Sequence, residues 1–282
     1  MGIRLVNAGG RAALVVGDCV VDLERRSEGA FSSDPMVAFE RWADLRDWAG
    51  GIEPTGDEPP LDEAMLAPCV PRPSKIFGVG LNYREHAREA GLELPKQPMV
   101  FAKFPNCLAG PCADVVLTGS RVDYEVELVV VVGRRGRRIA QARALDHVAG
   151  YCAGQDISDR ALQFADRPPQ FSLGKSADTY GPIGPAVVSL DAFPDPDDLS
   201  IRCEVNGETM QDDRTSGMIF SVAELLEHLS RYCTLEPGDL VFTGTPAGVG
   251  AVRDPRRYLK PGDVVTSSIE GVGSLRNRCL GE

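Results

Sequence analysis

The stretch VDYEVELVVVV, residues 122–132, constrains the fold of this chain more than any other. Asp123, Glu125 and Glu127 alternate with Tyr124, Val126 and Leu128, and the run then becomes pure valine. Alternation of period two marks a β-strand, on which residues two apart share a face at about 6.6 Å spacing. An unbroken valine run marks a strand covered on both faces. The chain must therefore align carboxylates at the entrance to a buried strand. An acidic strand by itself is ordinarily a solvated face. Here the valines lead into a core, and no Lys or Arg is interleaved with the acids. Parallel like charges repel, and desolvating them is costly unless a cation compensates.

A divalent cation is the natural solution. Carboxylate oxygens suit Mg²⁺, Mn²⁺ or Ca²⁺, whereas Zn²⁺ more often takes His or Cys. Glu125 and Glu127 are the expected first two ligands. A third should come from a neighbouring strand. Asp156, at the end of the apolar segment in YCAGQDISDR, is the best candidate, and Asp123 competes because it shares the glutamates' face.

The rest of the chain reads as α+β with a mixed, curled sheet. IRLV, AALVV and CVVDL form a small N-terminal meander, and a helix follows from cap Asp34 and Pro35 to Gly50. Residues 51–74, rich in Pro and acid, read as a linker, so a small α/β domain over 1–70 precedes a larger one over 71–282. KIFGVGL, VELVVVVG and GYCAGQDIS read as strands. RALDHV reads as a short helix, and Asn206-Gly207 as a hairpin turn. Ser221 and Glu224 form a capping box at the head of SVAELLEHLSRYC, the clearest helix. Pro-Gly-Asp precedes two further strands, in EPGDLVFTG and KPGDVVTSS. The absence of regular strand–helix alternation argues against a parallel α/β fold.

A length of 282 residues and a net charge of −11, without a dense basic block, make nucleic acid and anionic membrane poor partners. No apolar run approaches a membrane span and no signal-peptide pattern opens the chain, so a cytoplasmic location is expected. Eight cysteines show no Cys-x-x-Cys spacing and are expected as buried, reduced thiols.

Three further segments carry candidate chemistry. In NYREHAREAG, a short helix capped by Asn82, His86 and Glu89 stand three apart on one face. Such a pair can hold a water and take its proton. A solvated helix with an ordinary histidine is the commoner meaning of that pattern. Lys175, in SLGKSADTYGPIGP, can bind an anionic oxygen, although a single lysine is usually a surface residue. Its GKS is not a phosphate loop, because Pro169 stands where that motif needs glycine, and Tyr83 likewise breaks a dinucleotide pattern begun by Gly78 and Gly80. TGTPAGVG, 243–250, can present N–H groups and hydroxyls to a carboxylate, or serve as a plain tight turn.

Taken together, GLNYREHAREAG, FAKFPNCLAGP, DYEVELVVVVG, GQDISDRALQ, SLGKSADTYGPIGP, EVNG, the helix around SVAELLEHLS, and PGDLVFTGTPAGVG resemble the fumarylacetoacetate hydrolase family. They run in that family's order over roughly residues 75–280, and the first seventy residues match only loosely. The resemblance implies a curled mixed β-roll, usually a homodimer, with a divalent metal (Mg²⁺ or Mn²⁺, with Ca²⁺ also suitable) on Glu125, Glu127 and Asp156. It implies a water-activating pair on His86 and Glu89, within a lid-like segment, and a catalytic-site lysine at Lys175. Gln163, Thr245 and Arg160 match substrate-side positions. Gln155, where Asn is commoner, and Asp159, at a variable position, depart from the pattern and bear on substrate identity. The implied reaction is hydrolysis of a carbon–carbon bond in an acylpyruvate-like 2,4-dioxo acid. Its rivals are oxaloacetate decarboxylation, muconate-type keto–enol isomerisation, and non-catalytic binding of a metal and an oxo acid.

Overall fold

The valine run forms strand Val126–Val132, every residue of which is buried. In this computed structural model, which describes residues 2–282, the strand lies inside an eleven-stranded mixed sheet. It pairs antiparallel with Val148–Gln155 on one side and with Leu240–Phe242 on the other. Its two faces enter different cores. Val126, Leu128 and Val130 pack with Ile201, Val265 and Leu275 of a second, five-stranded sheet. Val129 and Val131 pack with Phe242 and with Phe39 and Leu45 of the N-terminal segment. That two-sided burial explains the absence of alternation in the valines.

Outward from the centre, Leu240–Phe242 pairs in parallel with Ile76–Gly80, which is followed by the edge strand Met99–Lys103. In the other direction come Gly181–Val188 and then Arg4–Ala8. The expected N-terminal meander forms as Arg4–Ala8, Arg11–Val16 and Cys19–Asp22. It continues the main sheet rather than standing beside it, so residues 1–70 and 71–282 share one set of hydrogen bonds.

The hairpin at Asn206-Gly207 forms with φ of 56° and 82°, as its paired left-handed turn residues require. The helix Val222–Tyr232 carries the complete capping box. Other elements differ from expectation. The 34–50 helix is capped by Asp34 but breaks into Pro35–Glu40 and Trp42–Ala49, because Arg41 leaves helical geometry at φ −118°, ψ 33°. RALDHV falls within a 3₁₀ segment, Gln141–His147. The short helix is Arg84–Glu89, with Tyr83 rather than Asn82 at its cap position. All eight cysteines are free; five are buried, but Cys19 and Cys233 are half-buried and Cys112 is exposed. Among the described residues no helix is long and apolar enough to cross a membrane.

Candidate metal centre

Just before the valine strand the backbone ladder is interrupted, and side chains fill the gap. Glu125 N–H donates to Gln155 Oε1 at 2.8 Å, and Val126 N–H donates to Gln211 Oε1 at 3.0 Å. Asp156 N–H donates to the Glu125 carbonyl at 2.9 Å, setting the end of strand Val148–Gln155 opposite the glutamates. Gln155 also donates to Ser267 Oγ at 2.9 Å. This departure from the usual Asn therefore braces the backbone of the acidic strand. Asp159 caps the helix Arg160–Gln163 and accepts from Thr118 Oγ1 at 2.9 Å. Neither departure lines the pocket described below, so they act on the framework rather than on a substrate.

Glu125, Glu127 and Asp156 converge, each offering one carboxylate oxygen within 4.8 Å of the others. All three are buried. Asp123, the rival third ligand, is turned away. It accepts from Arg160 Nε at 2.9 Å, Gly250 N–H at 2.7 Å and Ala251 N–H at 3.0 Å.

The acids are not left to a metal alone, which corrects the premise drawn from their strand. Lys175 Nζ donates to Glu125, Asp156 and Ser158, each at 2.7 Å. Arg160 reaches Glu125 Oε1 at 2.6 Å and Gln163 Oε1 at 2.8 Å. Lys103, missed in the sequence, donates to Asp156 Oδ1 at 2.7 Å, to the Tyr180 carbonyl at 3.2 Å and to the Lys175 carbonyl. Four buried carboxylates (Asp123, Glu125, Glu127, Asp156) thus meet three buried cations (Lys103, Arg160, Lys175). Glu127 has no cationic partner; it accepts one hydrogen bond, from Gly244 N–H at 2.8 Å.

The electrostatics follow this count. Burial pushes Glu125 upward, but Lys175 and Arg160 outweigh it and hold the carboxyl at about 2. Burial, then the charges of Asp156 and Glu125, push Glu127 well above the ordinary carboxylate range. One excess negative charge, among oxygen donors only, fits a hard divalent cation. Local backbone places the supporting groups. Gly244 has φ of 98°, and a Cβ there would come within 2.7 Å of Asn82 Cβ. Asn82 holds that loop by donating to the Thr243 carbonyl at 2.7 Å, and it also bonds Phe220. Gly174 lets the turn before Lys175 approach the Arg160–Gln163 helix, where a Cβ would lie 3.2 Å from Gln163 N.

A pocket of about 370 Å³ opens onto Glu125, Glu127, Arg160 and Lys175. His86, Gln163 and Thr245 line it as well. His86 Nδ1 is buried without a hydrogen-bond partner and stands 3.9 Å from Glu89 Oε1, beyond hydrogen-bond range. The other oxygen of Glu89 accepts from Gly248 N–H at 2.7 Å and ties the helix to the glycine loop. Glu89 is not among the pocket-lining residues. Thr245 Oγ1 donates to the Val126 carbonyl at 2.9 Å and accepts from Gln211 at 2.7 Å. Arg160 is likewise engaged behind the carboxylates. Gln163 keeps its amide N–H groups for the pocket, since only its oxygen is bound by Arg160.

A model of the fumarylacetoacetate (FAA) hydrolase C-terminal family matches residues 75–280. The mitochondrial oxaloacetate tautomerase FAHD2A of Bos taurus is 44% identical over 224 residues, 79% of this chain and 71% of that protein. Fumarylacetoacetate hydrolase from Exiguobacterium antarcticum has a TM-score of 0.83 at 32% identity, with 100% of both chains covered. Maleylpyruvate hydrolase from Sphingobium sp. SYK-6, solved in complex with manganese(II) and pyruvate, has a TM-score of 0.82 at 28% identity over 99% of each chain.

Proposed function

The chain belongs to the fumarylacetoacetate hydrolase family, and from that premise we propose that it is a divalent-metal-dependent enzyme acting on the keto–enol chemistry of a 2-oxo acid. The observation that carries this reading is the unpaired charge of Glu127 among three convergent carboxylates. A dication there converts a site with one excess negative charge into one with one excess positive charge. Such a site attracts a carboxylate anion, even in a chain of net charge −11.

Glu125, Glu127 and Asp156 would hold the ion, with Mn²⁺ and Mg²⁺ the best-suited choices. When bound, the ion supplies electrophilic polarisation of the 2-oxo group. The remaining work belongs to the chain. His86, with Nδ1 unpartnered at the pocket wall, takes the proton from carbon 3 and returns it to the oxygen on carbon 2, or the reverse. Lys175 has three protein acceptors, so it contributes its field to the developing enolate rather than a new hydrogen bond. The Gln163 amide orients a substrate oxygen. The identity to an oxaloacetate tautomerase favours this proton transfer as the type of reaction and leaves open the group at the far end of the oxo acid.

A second reading is favoured by the nearness of His86 and Glu89. In it His86 deprotonates a water that adds to carbon 4 of a 2,4-dioxo acid. The bond between carbons 3 and 4 breaks, its electron pair stays on carbon 3, and protonation there gives pyruvate beside a carboxylic acid. Catalytic hydrogen bonds that are long in a ligand-free enzyme often tighten in the complex.

One experiment tests both readings. The full chain with Mn²⁺ or Mg²⁺ is given oxaloacetate and a set of acylpyruvates, and loss of enol absorbance is followed beside formation of pyruvate and acid. Enol loss without new products identifies tautomerisation; stoichiometric acid release identifies hydrolysis. Enol decay no faster than in buffer, across the set, refutes the proposal.

A further inference from the structure

We infer that the substrate is apolar at the end remote from its oxo-acid group, carrying a hydrocarbon substituent rather than a second carboxylate. This rests on the metal and oxo-acid reading above and names the substrate class it left open.

Leu92, Met99, Phe164 and Val252 are 57%, 42%, 55% and 40% exposed. Exposed apolar side chains are unremarkable when scattered. These four come from separate stretches of chain yet line the same cavity as the carboxylates. Phe101 and Phe171 continue that wall, with ring centroids 5.6 Å apart. Gly78 seats the Phe101 ring, for a Cβ at 78 would lie 2.3 Å from it.

Polar and apolar linings are therefore segregated. The cations that touch the cavity, Arg160 and Lys175, are already paired with Asp123, Glu125 and Asp156. A second substrate carboxylate would lose water among Leu92, Phe164 and Val252 with no counter-charge to meet it, which is unfavourable. Size agrees. At about 30 Å³ per water-sized group, the roughly 370 Å³ cavity takes about twelve non-hydrogen atoms. A 2,4-dioxo acid head uses about eight of these. The remaining space, about four atoms at the open mouth, suits a short alkyl chain.

The test uses N-substituted oxamates, which keep the oxo-acid head and vary only the tail, titrated calorimetrically into the Mn²⁺-loaded full chain. From N-methyl to N-butyl, affinity should rise about two- to fourfold per methylene. N-(3-carboxypropyl) oxamate should bind at least about tenfold more weakly than the butyl compound. Val252→Lys, at a half-exposed position that tolerates lysine, should narrow or reverse that order. If N-methyl oxamate binds but the tails make no difference, or if Val252→Lys leaves the order unchanged, the inference is overturned while the metal reading stands. If no oxamate binds, the metal reading fails and takes the inference with it.

Discussion

Lys103 and Lys175 each hold one oxygen of Asp156, both at 2.7 Å, and Lys103 also donates to the backbone carbonyl of Lys175. Lys103 has no pocket to serve; it is buried beneath the centre. It fixes both the acid and the loop that delivers the second lysine. Lys103→Met should therefore cost about 3–5 kcal/mol, the scale of removing one partner from a buried ion pair. The denaturant midpoint reports it. A midpoint within experimental error of the parent's would show that Lys175 alone compensates Asp156.

Among the described residues, Glu127 is the one of the four acids at the centre without a cationic partner, and Glu127→Gln removes it. The variant should fold at least as well as the parent in metal-free buffer. Mn²⁺ at about a hundred times its dissociation constant should stabilise the parent by about 2.7 kcal/mol. For a chain of this size that raises Tm by roughly 4–6 °C. Glu127→Gln should show little of that rise in a thermal melt, and a full rise in the variant would remove Glu127 from the ligand set.

The same pair gives a pH signature. Burial, Asp156 and Glu125 raise Glu127 in the folded state above its ordinary value of 4.5. Its contribution to metal-free stability is thus complete below 4.5 and declines as pH rises through the folded value. Glu125 behaves oppositely. It is held at about 2, so its contribution is complete above 4.5 and is lost as pH falls toward 2. As pH rises above 4.5, Glu127→Gln should gain on the metal-free parent. Metal binding to the parent should release protons, readable by titration calorimetry in buffers of different ionisation enthalpy.

His86→Ala should retain the Mn²⁺-induced rise in Tm and lose turnover by about 10²–10⁴-fold, the usual share of a positioned acid–base group. Unchanged turnover would move the proton transfer to another residue.

The convergence of Glu125, Glu127 and Asp156 was legible because period-two acids running into a buried valine strand put the two glutamates on one inward face beside the end of a neighbouring apolar segment. The position of Asp156 opposite Glu125 follows from strand pairing that its apolar segment already suggested. Lys103 was not legible. A lysine in FAKFPN reads as solvated, and its burial depends on Asp156 and Tyr180, which are 53 and 77 residues away. Arg160 was visible, but its direction was not, since nothing local shows that Asp123 would draw it behind the carboxylates. Asn82 looked like a helix cap because its spacing to Glu85 matches a capping box; the Thr243 and Phe220 backbone groups claim it instead. Arg41 interrupts a helix whose apolar spacing alone reads as continuous.

Strand Arg4–Ala8 covers the flank of Gly181–Val188. Trimming the chain to residues 75–280 would bare the N–H and C=O groups that Arg4 and Leu5 meet at Val188 and Val187, an invitation to pairing between molecules and to aggregation. Shortened forms of the chain for crystallography or engineering should therefore keep the first strand, even though it lies far in sequence from every acid of the site.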